Sequence, residues 1–87
     1  MEIDEIVKIA ILNKYYGNLL TDRQRDIVNM YVDNNLSLQE VGEELDITRQ
    51  AVKDSLDKAL DALYNAESKL HFVDRDNRIK LALESKD

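Results

Sequence analysis

Apolar residues recur every three or four positions along most of this chain, the spacing that places them on one face of an α-helix. The clearest stretch covers residues 36–56, LSLQEVGEELDITRQAVKDSL. It predicts a short helix and then a second helix, separated by a tight turn at Asp46-Ile47. The apolar positions are Leu38, Val41 and Leu45 in the first helix, and Val52 and Leu56 in the second.

Polar residues mark where both of these helices begin. Ser37 can accept a hydrogen bond from a first-turn N–H, and Glu40 can reach back to the Ser37 N–H, which makes a capping box. Thr48 is placed to cap the second helix. Asp46 falls at the turn position that needs positive φ, which Asp tolerates better than most residues. Together with Gly42 at the crossing, the caps favour a helix-turn-helix unit over two ordinary helices of a bundle.

The remaining pattern predicts an all-α fold, a small helical bundle with one core. The chain has 87 residues, no Pro and only two Gly, so few residues interrupt helices. Predicted helices lie near 3–16, 22–34, 38–45, 49–70 and, less regularly, 75–85. For the last of these, either Asp74 caps a short helix or the long helix simply continues. We expect one helix-turn-helix domain over 1–87, with its core at 37–56 and a C-terminal helical extension over 71–87.

Two helices carry more apolar surface than a chain of this length is expected to bury alone. In the first helix, Ile3, Ile6, Val7 and Ala10 share a face that Ile9, Leu12 and Tyr16 widen, and Gly17 suits a left-handed position at its end. In the long helix, the predicted buried positions are Val52, Leu56, Ala59, Leu60, Leu63 and Leu70. Because such surface needs cover, we expect the protein to form a homodimer.

Composition narrows the classes of function. No apolar run approaches the roughly 20 residues that span a bilayer, and the first residues are acidic where a signal peptide is basic, so we expect a cytoplasmic protein without membrane insertion. There is no cysteine, and the lone His71 has no evident partner. The four acids Glu40, Glu43, Glu44 and Asp46 lack the alternating spacing of a calcium loop. We expect no enzyme activity, no cofactor and no metal.

The start of the second helix holds the candidate nucleic-acid-binding residues. In a helix-turn-helix protein this part of the recognition helix enters the major groove. Arg49, Gln50 and Lys53 would then reach base edges or phosphates, and Thr48 suits a phosphate contact. However, the net charge is −6, and residues 48–70 hold as many acidic as basic side chains. Any DNA binding is therefore expected to be weak.

The run from Tyr15 to Phe72 resembles the YlxM family of small bacterial helix-turn-helix proteins. The specific pieces are YYGNLLTDRQR, LSLQEVGEEL and ITRQAVKDSL, and the last two also resemble region 4 of sigma factors. The resemblance implies an all-α fold with a sigma region 4-like helix-turn-helix and an extended recognition helix. It also implies a tie, through gene neighbourhood, to the signal recognition particle pathway, and DNA reading by sigma-like members of the wider group.

Two functions remain open from the sequence. The first is a DNA-binding regulatory protein that takes part in the signal recognition particle pathway. The second is a protein-interaction module in which the acidic surface, represented by Glu43 and Glu44, binds a basic protein or ribonucleoprotein partner such as components of that particle. The local motif favours the first function, and the charge of the chain favours the second.

Overall fold

The structure, a computed structural model, describes residues 3–84 and contains no strand within them. Its α-helices are α1 (Ile3–Tyr16), α2 (Asp22–Val28), α3 (Leu38–Leu45), α4 (Arg49–Leu70) and α5 (Phe72–Glu84). A short 3-10 turn, Gly17–Leu19, follows α1, and a π-helical turn, Asn29–Asp33, continues α2. The predicted all-α fold is confirmed. Residues 85–87 of the predicted extension lie outside the described part of the chain.

Helix α4 lies at the centre of the fold and packs against α1, α2 and α3. Five of its side chains are buried at steps of four, three, four and three residues, which keeps them on one face. Each fully buried aliphatic side chain contributes about 1.5–3 kcal/mol to folding. The buried hydrophobic residues are Ile9, Leu12, Tyr16, Leu20, Ile27, Val28, Val41, Val52, Leu56, Ala59, Leu63 and Ala66.

The predicted buried faces of α1 and α4 were partly wrong. In α1 the buried residues are Ile9, Leu12 and Tyr16, which the sequence analysis placed at the edge of the apolar face. Val7, on the predicted face, is 51% exposed. The side chain of Ile3 lies outside the described part of the chain. In α4 the buried face ends at Ala66, whereas Leu70 is exposed. Leu70 lies three residues beyond Glu67, the α4 residue that accepts a hydrogen bond from Tyr16 at the end of α1.

The prediction for Gly17 was also wrong, since no glycine among the described residues has positive φ. Gly17 instead enters the 3-10 turn, where an added Cβ would lie 2.7 Å from Oδ1 of Asn13. The left-handed positions belong to Asn35 (φ 56°), Asp46 (φ 56°) and His71 (φ 55°). Asn, Asp and His are the residues other than Gly that most often adopt this conformation.

The predicted helix over 22–34 is helical, but it changes type partway. Thr21 and Gln24 form the capping box at its start, with Thr21 Oγ1 accepting from the Gln24 N–H at 3.1 Å. From Asn29 the turn widens, and the Asn34 N–H donates to the carbonyl of Asn29, five residues back, at 3.1 Å. Such π-helical turns are rare and are not predictable from the apolar pattern.

Helix α5 begins at Phe72, earlier than predicted, and neither sequence alternative is correct. The long helix does not continue, because His71 adopts a left-handed conformation and ends α4. Asp74 does not cap α5; its N–H instead donates to Oε2 of Glu67 at 3.2 Å. The chain changes direction at His71. The fold is elongated and measures 53 × 23 × 17 Å along its principal axes.

Candidate nucleic-acid interface

Local hydrogen bonds set where α3 and α4 begin, as the sequence predicted. Ser37 Oγ accepts from the Glu40 N–H, and the Ser37 N–H donates to Oε1 of Glu40, both at 3.1 Å. Thr48 Oγ1 accepts from the Ala51 N–H at 3.0 Å. Both helices therefore have capped starts, which satisfy N–H groups that lack partners inside the helix.

The turn between the two helices is held by backbone contacts that leave little room. Asp46 has φ 56° and ψ 45°, the left-handed conformation that the sequence predicted. The Ile47 N–H then donates to the carbonyl of Gly42 at 2.9 Å. A Cβ on Gly42 would lie 2.7 Å from the carbonyl oxygen of Ile47 and 3.5 Å from the nitrogen of Arg49, so the close approach requires glycine.

The apolar side chains behind the turn fix the two helices against each other. Val41 and Val52 are fully buried and Leu56 is 4% exposed, which matches the predicted seam. Leu38 and Leu45 are partly buried against the same core. The helix-turn-helix unit is therefore one packed body with the start of α4 at its surface.

All four predicted nucleic-acid-binding residues lie at that surface. Thr48, Arg49, Gln50 and Lys53 occupy the cap and first turns of α4 and are exposed. The Thr48 hydroxyl accepts the capping hydrogen bond and still has its own hydrogen to donate. Arg49 is in no ion pair within residues 3–84, so its guanidinium can meet a ligand without breaking one.

The other two side chains are engaged by acids one turn further along α4. Gln50 Nε2 donates to Oδ1 of Asp54, and Lys53 Nζ donates to Oδ2 of Asp57, both at 2.9 Å. The hydrogen bond and charge of Asp57 raise the pKa of the Lys53 ammonium. Exposed pairs of this kind contribute little because water and salt screen them, so a stronger ligand displaces them readily. The i, i+4 spacing of these pairs is visible in the sequence, although the prediction did not use it.

The predicted partner-binding residues lie on the neighbouring helix. Glu43 and Glu44 are exposed on α3, and Oε1 of Glu43 accepts from Nε2 of Gln39 at 3.3 Å. Across residues 37–56 there are five acidic side chains and two basic ones. The surface around the start of α4 is therefore mostly negative. Within the described residues, no three acidic or histidine side chains are grouped closely enough to hold a metal ion.

None of the helices within residues 3–84 combines the length and the apolar character that crossing a membrane requires.

The contacts that sequence analysis missed lie away from the helix-turn-helix unit, around Tyr16 and Glu67, where α1, α4 and α5 meet. Tyr16 and Glu67 are 51 positions apart in the sequence, and no local pattern marks their contact.

Comparison with known proteins identifies one family over nearly the whole chain. The family model described as "Putative helix-turn-helix protein, YlxM / p13 like" matches residues 3–86. A UPF0122 protein of Desulforamulus reducens is 46% identical over 71 residues, which cover 82% of this chain and 61% of that protein. A UPF0122 protein of Caldanaerobacter subterraneus subsp. tengcongensis is 42% identical over 81 residues, covering 93% and 69% of the two chains.

A more distant UPF0122 protein, from Fusobacterium nucleatum, is 34% identical over 83 residues, covering 95% of this chain and 81% of that protein. The chain thus spans about two thirds of the length of the first two relatives, 61% and 69%, and more of the third. No solved structure matches it.

Proposed function

The chain belongs to the YlxM/p13-like helix-turn-helix family, and from that premise we propose that it is a DNA-binding regulatory protein that presents the start of α4 to the major groove. The observation that carries the proposal is the complete helix-turn-helix geometry with Thr48, Arg49, Gln50 and Lys53 exposed at its surface. Participation in the signal recognition particle pathway is part of the proposal and is supported only by the resemblance to the YlxM family.

The four residues suit two different kinds of contact with DNA, to bases and to phosphates. Arg49 and Gln50 have side chains that can make paired hydrogen bonds, Arg to guanine and Gln to adenine. Thr48 and Lys53 suit phosphate oxygens, which position a protein on DNA without specifying sequence. Binding requires that Gln50 and Lys53 leave Asp54 and Asp57, at a small cost because both pairs are exposed.

The test is selection of bound duplexes from a random-sequence DNA pool at low salt, with the full chain. Wild type should enrich a sequence preference, and Arg49→Ala with Gln50→Ala should abolish it while leaving the far-UV circular dichroism unchanged. Lys58→Ala, an exposed basic residue further along α4, is the control and should keep the preference. Equal enrichment by wild type and the double variant would refute the assignment.

A second candidate function is supported by the charges around the same site. The acids of α3 and the pairing of Lys53 with Asp57 give this surface negative charge that would attract a basic protein or ribonucleoprotein partner. In this alternative, Glu43 and Glu44 contact the partner, and components of the signal recognition particle are the candidates that the resemblance to the YlxM family suggests.

Capture of partners from a bacterial lysate, with and without nuclease, separates the two functions. A nuclease-resistant complex that weakens on reversal of Glu43 and Glu44 to Lys would favour the protein module. Reversal of Glu5 and Asp61, exposed acids outside α3, changes the net charge equally and is the control. If both reversals weakened the complex equally, only net charge would matter, and the α3 surface would be excluded.

A further inference from the structure

Two carboxylates share the exposed face of α4 with the residues proposed to contact DNA. Asp54 follows Gln50 by four positions, and Asp57 follows Lys53 by four, so each acid lies about one helical turn beyond the residue that it contacts. Both acids are exposed. A duplex that receives the start of α4 in its major groove therefore meets at least the nearer carboxylate, that of Asp54.

Asp54 lies on the side of α4 that faces away from the core. The buried residues Val52 and Leu56 precede and follow it by two positions. Because an α-helix turns by about 100° per residue, a residue two positions from both of them is on the opposite side of the helix. Gln50 and Asp54 are separated by about 6 Å along the helix axis, which corresponds to no more than about two base-pair steps. The two side chains therefore reach the same short stretch of the groove.

The hydrogen bond of Asp54 is lost when Gln50 turns to the duplex. In the free protein Oδ1 of Asp54 accepts from Nε2 of Gln50 at 2.9 Å. An ionised carboxylate has no proton to donate, so it needs donors around it. A carboxylate that enters the groove without a donor also loses hydrogen bonds to water, which costs free energy. Binding is therefore favoured where the duplex itself supplies a donor to Asp54.

We propose that Asp54 is a specificity-determining residue, which accepts a hydrogen bond from the N4 amino group of a cytosine near the base that Gln50 contacts. The inference rests on the proposed DNA-binding function and adds a base that the site selects. In the major groove cytosine presents only a donor, whereas guanine and thymine present acceptors. Adenine sets an acceptor, N7, beside its amino group. Cytosine is therefore the base that suits a carboxylate.

This exchange conserves the hydrogen bonds of both side chains. Before binding, an amide N–H of Gln50 satisfies Asp54. After binding, an amino N–H of cytosine takes its place, and the amide of Gln50 pairs with adenine. A carboxylate does not attract a duplex, so the contact with cytosine depends on Arg49 and Gln50, which hold the helix in the groove. Asp54 therefore adds selectivity to binding that other residues provide.

Selection of bound duplexes from a random-sequence DNA pool, with the full chain at low salt, tests the assignment. Wild type should enrich a cytosine, and Asp54→Asn should enrich adenine at the same position, because an amide side chain pairs with adenine N6 and N7. Asp61→Asn is the matched control and should keep the cytosine. It removes the same charge from an exposed residue of α4, seven positions further along the helix.

Fluorescence anisotropy on the selected site gives the size of the effect. Replacing the cytosine by thymine, with its paired base, should weaken binding of wild type and of Asp61→Asn by at least about fivefold. Replacing it by adenine should weaken binding of wild type but strengthen binding of Asp54→Asn. The far-UV circular dichroism of both variants should equal that of wild type, because both positions are exposed.

The outcomes separate this inference from the proposed function. If the selected site depends on Arg49 and Gln50 but is the same for wild type and Asp54→Asn, the DNA-binding function stands and the role of Asp54 is refuted. If Asp54→Asn strengthens binding to all duplexes equally, Asp54 acts only through its charge, and the assignment is overturned. A wild type that enriches no sequence would refute both proposals.

Discussion

The hydroxyl of Tyr16, at the end of α1, donates a hydrogen bond to Oε1 of Glu67, near the end of α4. The Tyr16 oxygen in turn accepts from the Phe72 N–H at 3.1 Å. The Glu67 carboxylate accepts two more N–H groups from the first turn of α5, those of Val73 and Asp74. A side chain from α4 thus caps α5, and Tyr16 holds that side chain in place.

Tyr16→Phe should loosen α5 selectively. The substitution removes the donor to Glu67 and the acceptor of the Phe72 N–H, while it leaves the buried ring in the core. Hydrogen exchange should become faster in residues 72–84 and stay unchanged at Val52 and Leu63. Tyr64→Phe is the control, because it removes a tyrosine hydroxyl from α4 at a residue that is 40% exposed. Equal protection of 72–84 in wild type and Tyr16→Phe would refute the role of the hydroxyl.

The attachment of α5 should also weaken in acid. Burial by itself raises the pKa of the Glu67 carboxyl, but the hydrogen bonds from Tyr16, Val73 and Asp74 outweigh it and hold that pKa below its ordinary value. A lowered pKa in the folded state means that the ionised carboxylate stabilises the fold above the pKa that the glutamate has in the unfolded chain. That contribution is lost as the pH falls through the lowered pKa of the folded state.

Exchange measured from pH 7 down to pH 3 should therefore show residues 72–84 losing protection in the acidic part of this range. In Glu67→Gln the carboxyl that titrates is absent, so the loss of protection in residues 72–84 at acidic pH should be much smaller. If wild type and Glu67→Gln lost protection in parallel, other carboxylates would be responsible.

Gly42→Ala should destabilise the protein more than Gly17→Ala does. Both added methyl groups would meet an atom at 2.7 Å, but on Gly42 this atom is the Ile47 backbone oxygen, whereas on Gly17 it is the side-chain oxygen of Asn13. A side chain can shift more easily than the backbone of a tight turn, so Gly42→Ala should cost about 1–3 kcal/mol. Urea unfolding of both variants measures the difference, and equal losses would contradict the close approach at the turn.

Leu56→Ala should lower the free energy of unfolding by about 2–5 kcal/mol, because the side chain is 4% exposed in the seam between α3 and α4. Leu19→Ala is the matched control, since Leu19 is 65% exposed and its truncation should change stability by less than about 0.5 kcal/mol. Chemical denaturation gives both values. A loss below half a kcal/mol for Leu56→Ala would show that the seam is misplaced.

If the protein binds DNA, the salt dependence should be shallow. Lys53 is the cation assigned to phosphate, and Arg49, assigned to a base, is the only other cation near the start of α4. Even if both displace counterions, log affinity against log salt should fall with a slope of roughly −2 at the steepest. Lys53→Ala should reduce that slope by about one. Fluorescence anisotropy at several salt concentrations, with Lys58→Ala as control, measures it. A much steeper slope would place the phosphate contacts on other basic residues.

The sequence by itself determined the features that depend on neighbouring residues. The capping boxes at Thr21 and Ser37, the cap at Thr48 and the left-handed turn at Asp46 were all predictable. Each of them involves groups within about four positions, so the residue types alone specify the hydrogen bond or the dihedral angle. The same locality explains why the exposed position of Arg49 at the start of α4 could be predicted.

Only the tertiary structure decided which faces are covered. The apolar pattern of α1 allows more than one buried side, and the choice of Ile9, Leu12 and Tyr16 follows from where α4 passes. Along α4 the apolar pattern runs on to Leu70, but Ala66 is the last buried residue and Leu70 is exposed. The direction of α5 depends on Glu67 and Tyr16, which are far apart in sequence. Contacts between distant segments leave no local period in the sequence, so packing alone sets them.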